Sequence, residues 1–109
     1  MANNKAEYDV VVIGGGATGL SAALYTARAM LKTVVIEKLA PGGQILLTDI
    51  IENYPGFPDG ITGPELSQLY EKQATKNGAE IAYDTVEGLK LDGEVKTVVG
   101  AEREFTAKA

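Results

Sequence analysis

The chain has 109 residues, which corresponds to a single domain. Apolar residues make up 45% of it and charged residues 23%, a composition typical of a folded globular protein rather than a disordered one. The formal net charge of −5 argues against a nucleic acid or an anionic membrane as a partner. The absence of cysteine and histidine excludes disulfides, the usual zinc sites, and Cys–His and Ser–His–Asp nucleophiles, and we expect no metal site.

Nothing in the sequence indicates secretion or membrane insertion. The N-terminal stretch MANNKAEYD is polar and lacks the apolar run of a signal peptide. No segment is long and apolar enough to predict a transmembrane helix. We therefore expect a cytoplasmic protein.

The first part of the chain predicts a strand–helix–strand unit. Residues 1–7 are predicted to be a loose polar tail. The run Tyr8–Ile13 is apolar apart from Asp9, which favours a strand buried on both faces, as in a parallel sheet. A second β-branched run, Thr33–Ile36, follows a stretch with apolar residues at helical spacing. That helical stripe consists of Leu20, Ala23, Leu24 and Ala27.

The rest predicts an irregular loop, one helix and four short strands. Residues 39–60 are rich in proline and glycine and follow no regular period, and a loop of this length is often functional. Thr62 and Glu65 form a capping box that opens a helix, and Asn77 and Gly78 close it. The apolar stripe of this helix is Leu66, Leu69, Tyr70 and Ala74. The strands are Glu80–Tyr83, Thr85–Leu91, Val95–Val99 and Arg103–Thr106.

Together these elements predict an α/β fold of the Rossmann-like type. Residues 8–84 would form a βαβ core with a parallel sheet, interrupted by a cofactor loop at 39–60. Residues 85–107 would form a small antiparallel β-meander. We see no internal repeat.

The glycines after the first strand spell G-x-G-x-x-G, with Gly14, Gly16 and Gly19 at the fixed positions. In a dinucleotide-binding turn, the first glycine permits the sharp turn, and the second lets backbone amides approach a pyrophosphate. The third allows the helix to pack closely on the strand. The N-terminus of the helix adds unpaired N–H groups and a partial positive charge. The context of a buried strand before and a helix after favours this interpretation over a plain glycine turn.

Glu37 ends the second strand about twenty residues past the loop, where a ribose-binding carboxylate is expected. A carboxylate accepts hydrogen bonds from ribose hydroxyls and repels an additional phosphate, so FAD or NAD fits this position. Lys38 next to it is as readily explained as a solvated charge.

The stretch GGQILLTDIIENYPGF, residues 42–57, resembles the thioredoxin reductase family of flavoproteins, in which G-G-Q precedes a threonine and then E-N-Y/W-P-G. The resemblance extends through YDVVVIGGG at the start, GITGPEL at the next helix and NGAEI after it. The chain is thus similar to the FAD-binding part of such a reductase, a member of class II of the pyridine nucleotide-disulfide oxidoreductases.

The resemblance implies a set of FAD-binding residues. Those at the pyrophosphate would be Gly14, Gly15, Gly16, Ala17, Thr18 and Gly19. Those at the adenosine ribose would be Glu37 and Lys38, with the backbone of Val86 at the adenine edge. Those on the flavin side would be Gly42, Gly43, Gln44, Leu47, Thr48 and Asn53. It implies no catalytic side chain in this chain, because the flavin carries the reactivity.

Two positions depart from the family pattern. Ala17 and Thr18 stand where the family usually has proline and alanine, and both are small enough for the loop to close. Met30 stands where a glycine usually follows the helix, which puts the tight helix end there in doubt.

The resemblance also implies what a complete reductase would contain. In the intact family, an NADPH domain with a C-x-x-C follows, NADPH reduces the flavin, and a disulfide then passes electrons to a thioredoxin-like protein. None of these segments is present in these 109 residues. With a strand order of 3-2-1-4-5, Tyr8–Ile13 would be central in the intact sheet and an edge strand here, so we expect a homodimer or other association through this edge.

Two alternatives stay open from the residues alone. The chain could be a non-catalytic nucleotide-binding or assembly module. It could also belong to a cysteine-free relative of the same fold, such as a ferredoxin or flavodoxin-NADP reductase.

Overall fold

The computed structural model describes residues 5–38, 47 and 49–109, and within these it contains two helices and seven strands. In chain order they are β1 (Lys5–Glu7), β2 (Val10–Ile13), α1 (Ala17–Arg28), β3 (Thr33–Glu37), α2 (Gly63–Lys76), β4 (Glu80–Tyr83), β5 (Val86–Lys90), β6 (Lys96–Gly100) and β7 (Glu104–Ala107). Neither helix of this described part is long and apolar enough to cross a bilayer.

The parallel sheet has the order β2-β3-β4, and the βαβ unit predicted from the sequence is confirmed. Val10 lies opposite Thr33, and Val34 lies opposite Glu80. The strand β3 is central, and its first four residues are buried, as expected for a parallel strand covered on both faces.

A mixed sheet of order β1-β7-β6-β5 packs on the opposite side of the parallel sheet from the helices. The predicted antiparallel meander is confirmed as β5, β6 and β7. Lys5–Glu7 corrects the prediction of a tail over residues 1–7, because it forms β1 in parallel pairing with β7. The pairing depends on main-chain groups at the edge of the sheet. Residues 5–7 therefore show no hydrophobic periodicity from which a strand could be predicted.

Each face of β3 contributes to a different hydrophobic core. Val35 packs with the helices, in a cluster with Leu20, Ala23, Ala27, Ala74 and Ala79. Val34 and Ile36 point to the other side and pack with Ala82, Val98 and Phe105. This alternation follows from the two-residue period of a strand.

Both helices end in a Schellman motif. In α2, Gly78 has φ +110°, and Gly78 N and Ala79 N donate to Thr75 O and Ala74 O. This confirms the predicted closure of the helix by Asn77 and Gly78.

The helix α1 ends in the same motif without glycine. Met30 has φ +68°, its N–H donates to Ala27 O, and Leu31 N donates to Thr26 O. The sequence-based doubt about this helix end was therefore wrong, because a methionine adopts the left-handed conformation that glycine would take. This conformation costs an L-residue about 1–2 kcal/mol.

The strand β2 lies at an edge of the parallel sheet, as predicted. The prediction that it is buried on both faces was wrong, because at this edge its first three residues are half-buried and Ile13 is exposed. The outer side of β2 meets the last residues of the chain, because Val11 N donates to Ala109 O over 2.9 Å. In return, Ala109 N donates to Asp9 O over 3.1 Å. These two bonds are the pattern of a parallel ladder with Ala109 opposite Val10.

Candidate functional site

The turn between β2 and α1 requires glycine at two positions for reasons internal to the chain. Gly14 has φ +101°, a conformation that side chains disfavour, and its N–H donates to Ile36 O. At Gly19, an added Cβ would collide with the carbonyl oxygen of Gly14 and would lie 3.3 Å from Val12 Cγ1. The start of α1 therefore packs directly on the end of β2.

Gly16 is different, because neither conformation nor packing requires glycine there. Its φ is −73° and its ψ −175°, which are available to any residue. A Cβ built on Gly16 would have no heavy atom within 4 Å. The turn thus presents bare backbone to open space at this position, which suits the close approach of a phosphate group.

The two helices differ at their N-termini. Thr62 caps α2, with Glu65 N donating to Thr62 Oγ1 over 3.2 Å and Thr62 N donating to Glu65 Oε1 over 3.4 Å. The N-cap residue of α1 is Gly16, which offers no side-chain cap, and the first turn of α1 contains no acid. The positive end of the α1 dipole is therefore not neutralised by an acid in its own first turn.

The carboxylate of Glu37 closes the other side of the glycine turn. Gly15 N donates to Glu37 Oε2 over 2.6 Å, and Lys38 N donates to Glu37 Oε1 over 2.8 Å. A Cβ on Gly15 would lie 2.7 Å from the same Oε2, so glycine at this position lets the carboxylate approach the backbone. A carboxylate oxygen can accept more than one hydrogen bond, so a ribose hydroxyl could share it.

A pocket of about 270 Å³ lies beside this carboxylate, at the carboxyl ends of the parallel strands. In open α/β sheets ligands bind at this end. The volume suits part of a large ligand, since pockets that hold a whole drug-sized ligand measure about 300–1,000 Å³. It is lined by Ile13, Gly14, Ile36, Glu37, Lys38, Asp84, Thr85 and Val86.

The structure brings several of the predicted site residues together. Gly14, Glu37, Lys38 and Val86 line the pocket, and Gly15 is bonded to Glu37. The rest of the glycine turn and the first turn of α1, which hold Gly16, Ala17, Thr18 and Gly19, follow directly in the chain.

Of the predicted flavin-side residues, the structure describes Leu47 and Asn53, and neither lines this pocket. Gly42, Gly43, Gln44 and Thr48 lie outside the described residues. Leu47 is 81% exposed, and Asn53 lines a separate groove formed by residues 52–58. The described residues hold no group of three or more acids that could bind a metal ion.

Asp84 also lines the pocket beside Glu37, although no motif in the sequence singled it out. It is buried, and its carboxylate accepts hydrogen bonds from the backbone N–H groups of Thr85, Glu102 and Arg103. Burial alone would raise the pKa of Asp84, but these donors outweigh burial and lower the pKa below its ordinary value of 3.8. Its place directly after the third parallel strand was the signal that could have identified it.

Comparison with known proteins agrees with this geometry. Residues 8–109 match the family model described as pyridine nucleotide-disulphide oxidoreductase. The chain is 42% identical over 109 residues to a thioredoxin reductase of Mycolicibacterium smegmatis, covering 100% of this chain and 35% of that protein. It is 48% identical over 103 residues to a thioredoxin reductase of Bacillus subtilis, covering 94% of this chain and 32% of that one.

Solved structures give the same result. The crystal structure of the thioredoxin reductase of Lactococcus lactis matches with a TM-score of 0.89 and 44% identity, over 94% of this chain and 33% of that chain. The chain therefore spans about a third of the length of these relatives. The resemblance noted from the loop sequence is confirmed: the chain belongs to the pyridine nucleotide-disulphide oxidoreductase family.

Proposed function

We propose that this chain is the FAD-binding portion of an oxidoreductase of the thioredoxin reductase type. The observation that carries the proposal is Gly16, where bare backbone faces open space although the chain itself does not need glycine. An approaching ligand group accounts for it, and the uncapped start of α1 makes an anionic group favourable there. The thioredoxin reductase relatives support FAD as that ligand over another adenine nucleotide.

Each part of the cofactor has candidate partners. The pyrophosphate would lie over Gly14, Gly16 and the first turn of α1, where N–H donors and the helix dipole stabilise negative charge. The ribose would donate to the carboxylate of Glu37, and the adenine would lie in the pocket beside the backbone of Val86. Gly42, Gly43, Gln44, Leu47, Thr48 and Asn53 stay proposed for the flavin side.

The reaction proposed for the whole protein follows from the family. NADPH would supply electrons, and a thioredoxin-like protein would receive them. When bound, FAD supplies the hydride and electron transfer chemistry. The residues of this chain would bind and orient it, and no side chain here is proposed to act as a catalytic acid, base or nucleophile. We propose the cytoplasm as its location.

We also propose that β2 mediates association. It is an edge strand of the parallel sheet. Ala109 pairs with the first part of its outer side, through Val11 N and Asp9 O, and Ile13 at its other end is 50% exposed. The rest of this apolar edge would pair with a further strand, from a second copy of this chain or from other polypeptide.

The proposed cofactor is tested by the visible absorption spectrum of the purified chain after incubation with FAD and removal of unbound FAD. We expect a retained flavin band in the wild type. Gly16→Ala should weaken it and Gly16→Val should abolish it. The Cβ of Gly16→Ala meets no heavy atom within 4 Å, so this variant should lose no more than the roughly 1 kcal/mol expected for alanine at an N-cap. A wild type that retains no flavin, or a Gly16→Val variant that retains it fully, would contradict the proposal.

A further inference from the structure

The carboxylate of Asp84 joins two segments that are distant in sequence. Asp84 Oδ1 accepts from Thr85 N over 2.7 Å and from Glu102 N over 3.2 Å. Asp84 Oδ2 accepts from Arg103 N over 3.3 Å. One side chain, 8% exposed, thus connects the passage from β4 to β5 with the turn between β6 and β7.

The turn between β6 and β7, which Asp84 holds, also binds the backbone of Thr85. Ala101 N donates to Thr85 O over 2.9 Å, and the turn itself is closed by Gly100 N donating to Arg103 O. Thr85 is therefore held at both ends, its N–H by Asp84 and its carbonyl by Ala101. Because both groups are hydrogen-bonded, the peptide between Thr85 and Val86 has a defined orientation.

Gly100 provides the space that this arrangement needs. A Cβ at this position would collide with Asp84 Oδ2 and would lie 2.7 Å from Asp84 Cγ. The lowered pKa of Asp84 agrees with a carboxylate that stays ionised to accept the backbone donors. The contact therefore requires both the acid at Asp84 and the glycine at Gly100.

The hydrogen bonds that Asp84 accepts from Thr85 and from the turn at residues 100–103, called the clamp below, lie against the candidate nucleotide pocket. Asp84 N donates to Glu37 O over 3.1 Å, which connects the passage to the strand that carries the ribose-binding acid. Asp84, Thr85 and Val86 all line the pocket. Displacement of Thr85 would therefore change the shape of the pocket wall at the proposed adenine position.

We propose that Asp84 is a positioning residue for the nucleotide, acting through the turn at residues 100–103 to fix the backbone of Thr85 and Val86 at the adenine edge. This inference rests on the proposed binding of FAD. It adds a specific role for a residue that would not itself need to contact the cofactor.

The test compares three variants of the chain by FAD titration and by amide hydrogen exchange without FAD. Asp84→Asn replaces one carboxylate oxygen with an NH2 group that cannot accept from the backbone donors. Gly100→Ala displaces the same carboxylate without a change in charge. Asp9→Asn is the matched control, because Asp9 Oδ2 also accepts a backbone N–H, from Lys32 over 2.7 Å, but does not line the pocket.

We expect Asp84→Asn and Gly100→Ala each to weaken FAD binding by about tenfold, as for the loss of hydrogen bonds to a charged group. Their amide exchange should rise at Thr85, Val86 and residues 101–103. Asp9→Asn should leave FAD affinity within about twofold even where its unfolding midpoint falls.

The outcomes separate this inference from the proposed function. Wild-type affinity in Asp84→Asn, or an equal loss of affinity in Asp9→Asn, would overturn the positioning role while FAD binding stands. If the wild type binds no FAD, the proposed function fails, and hydrogen exchange still decides the clamp. Increased exchange confined to the residues named above supports it, and unchanged exchange there refutes it.

Discussion

Replacing Met30 with glycine is expected to stabilise this protein. Met30 occupies the left-handed position at the end of α1, where its φ is +68°. Its side chain is 89% exposed, so its removal sacrifices little buried surface. The backbone hydrogen bonds of the Schellman motif involve no methionine side-chain atom, so glycine can make all of them.

The magnitude follows from two opposing terms. Relief of the left-handed conformation is worth about 1–2 kcal/mol for an L-residue. The greater freedom of glycine in the unfolded chain takes back about 0.4–1 kcal/mol. The net gain in the free energy of unfolding is therefore about 1 kcal/mol, which corresponds to roughly 4 °C in Tm for a domain of this size.

The end of α2 provides the matched control. Gly78 has φ +110° in the same motif, and a Cβ there would have no heavy atom within 4 Å. Gly78→Ala should therefore lose about 1 kcal/mol for conformational reasons alone. Urea unfolding followed by circular dichroism at 222 nm measures both variants, with the difference in midpoint converted at a common slope.

Met30→Gly should be more stable than the wild type, and Gly78→Ala should be less stable. A Met30→Gly variant that is no more stable than the wild type, while Gly78→Ala loses stability as expected, would refute the cost assigned to the left-handed conformation of Met30. That result would mean that Met30 makes a contribution beyond its backbone conformation.

Three further predictions concern the glycine turn and Asp84. Gly19→Ala should lower the free energy of unfolding by about 2 kcal/mol, because its Cβ collides with the backbone of Gly14. The cost of this collision outweighs the better helix propensity of alanine. Gly15→Ala should displace the Glu37 carboxylate, with a stability change within about 1 kcal/mol and weaker FAD binding by titration. Because the folded-state pKa of Asp84 is lowered, its stabilisation is present above the unfolded value of 3.8 and is lost as pH falls through the folded value. The stability difference between wild type and Asp84→Asn, from urea midpoints, should therefore be constant near neutral pH and shrink below pH 3.8.

Each of these has a result that would count against it. An unchanged midpoint for Gly19→Ala would mean that α1 can shift away from β2. Full FAD affinity in Gly15→Ala would mean that the Glu37 carboxylate does not bind the ribose. A stability difference that does not shrink in acid would mean that the ionised Asp84 carboxylate is not what holds the turn.

Much of this architecture could be read from the sequence because its signals are local. The apolar run before Gly14 indicated a strand, which the structure contains as β2, half-buried rather than buried on both faces. The pair Thr62 and Glu65 indicated a helix start through a capping box that the structure contains. The position of Glu37 at the end of the second parallel strand followed from the known spacing of dinucleotide-binding units. Its hydrogen bond from Gly15 N was not predicted.

What the sequence did not reveal depends on contacts between distant segments. Lys5–Glu7 forms a strand only because the edge of β7 offers main-chain partners. In the sequence, Asp84 cannot be distinguished from a solvated acid. Its proposed role depends on the turn at residues 100–103, which the meander brings next to it. Met30 at a glycine position gave the wrong expectation because the hydrogen bonds of the motif outweigh the cost of its conformation.

The shared use of β3 has a consequence for how this protein comes apart. Val35 belongs to the helical core, while Val34 and Ile36 belong to the core under Phe105. Loss of either layer would strip one face of the same strand and expose buried apolar surface. The helices and the strands of the meander should therefore form one cooperative unit, whose buried core amides exchange through global opening rather than in separate foldons.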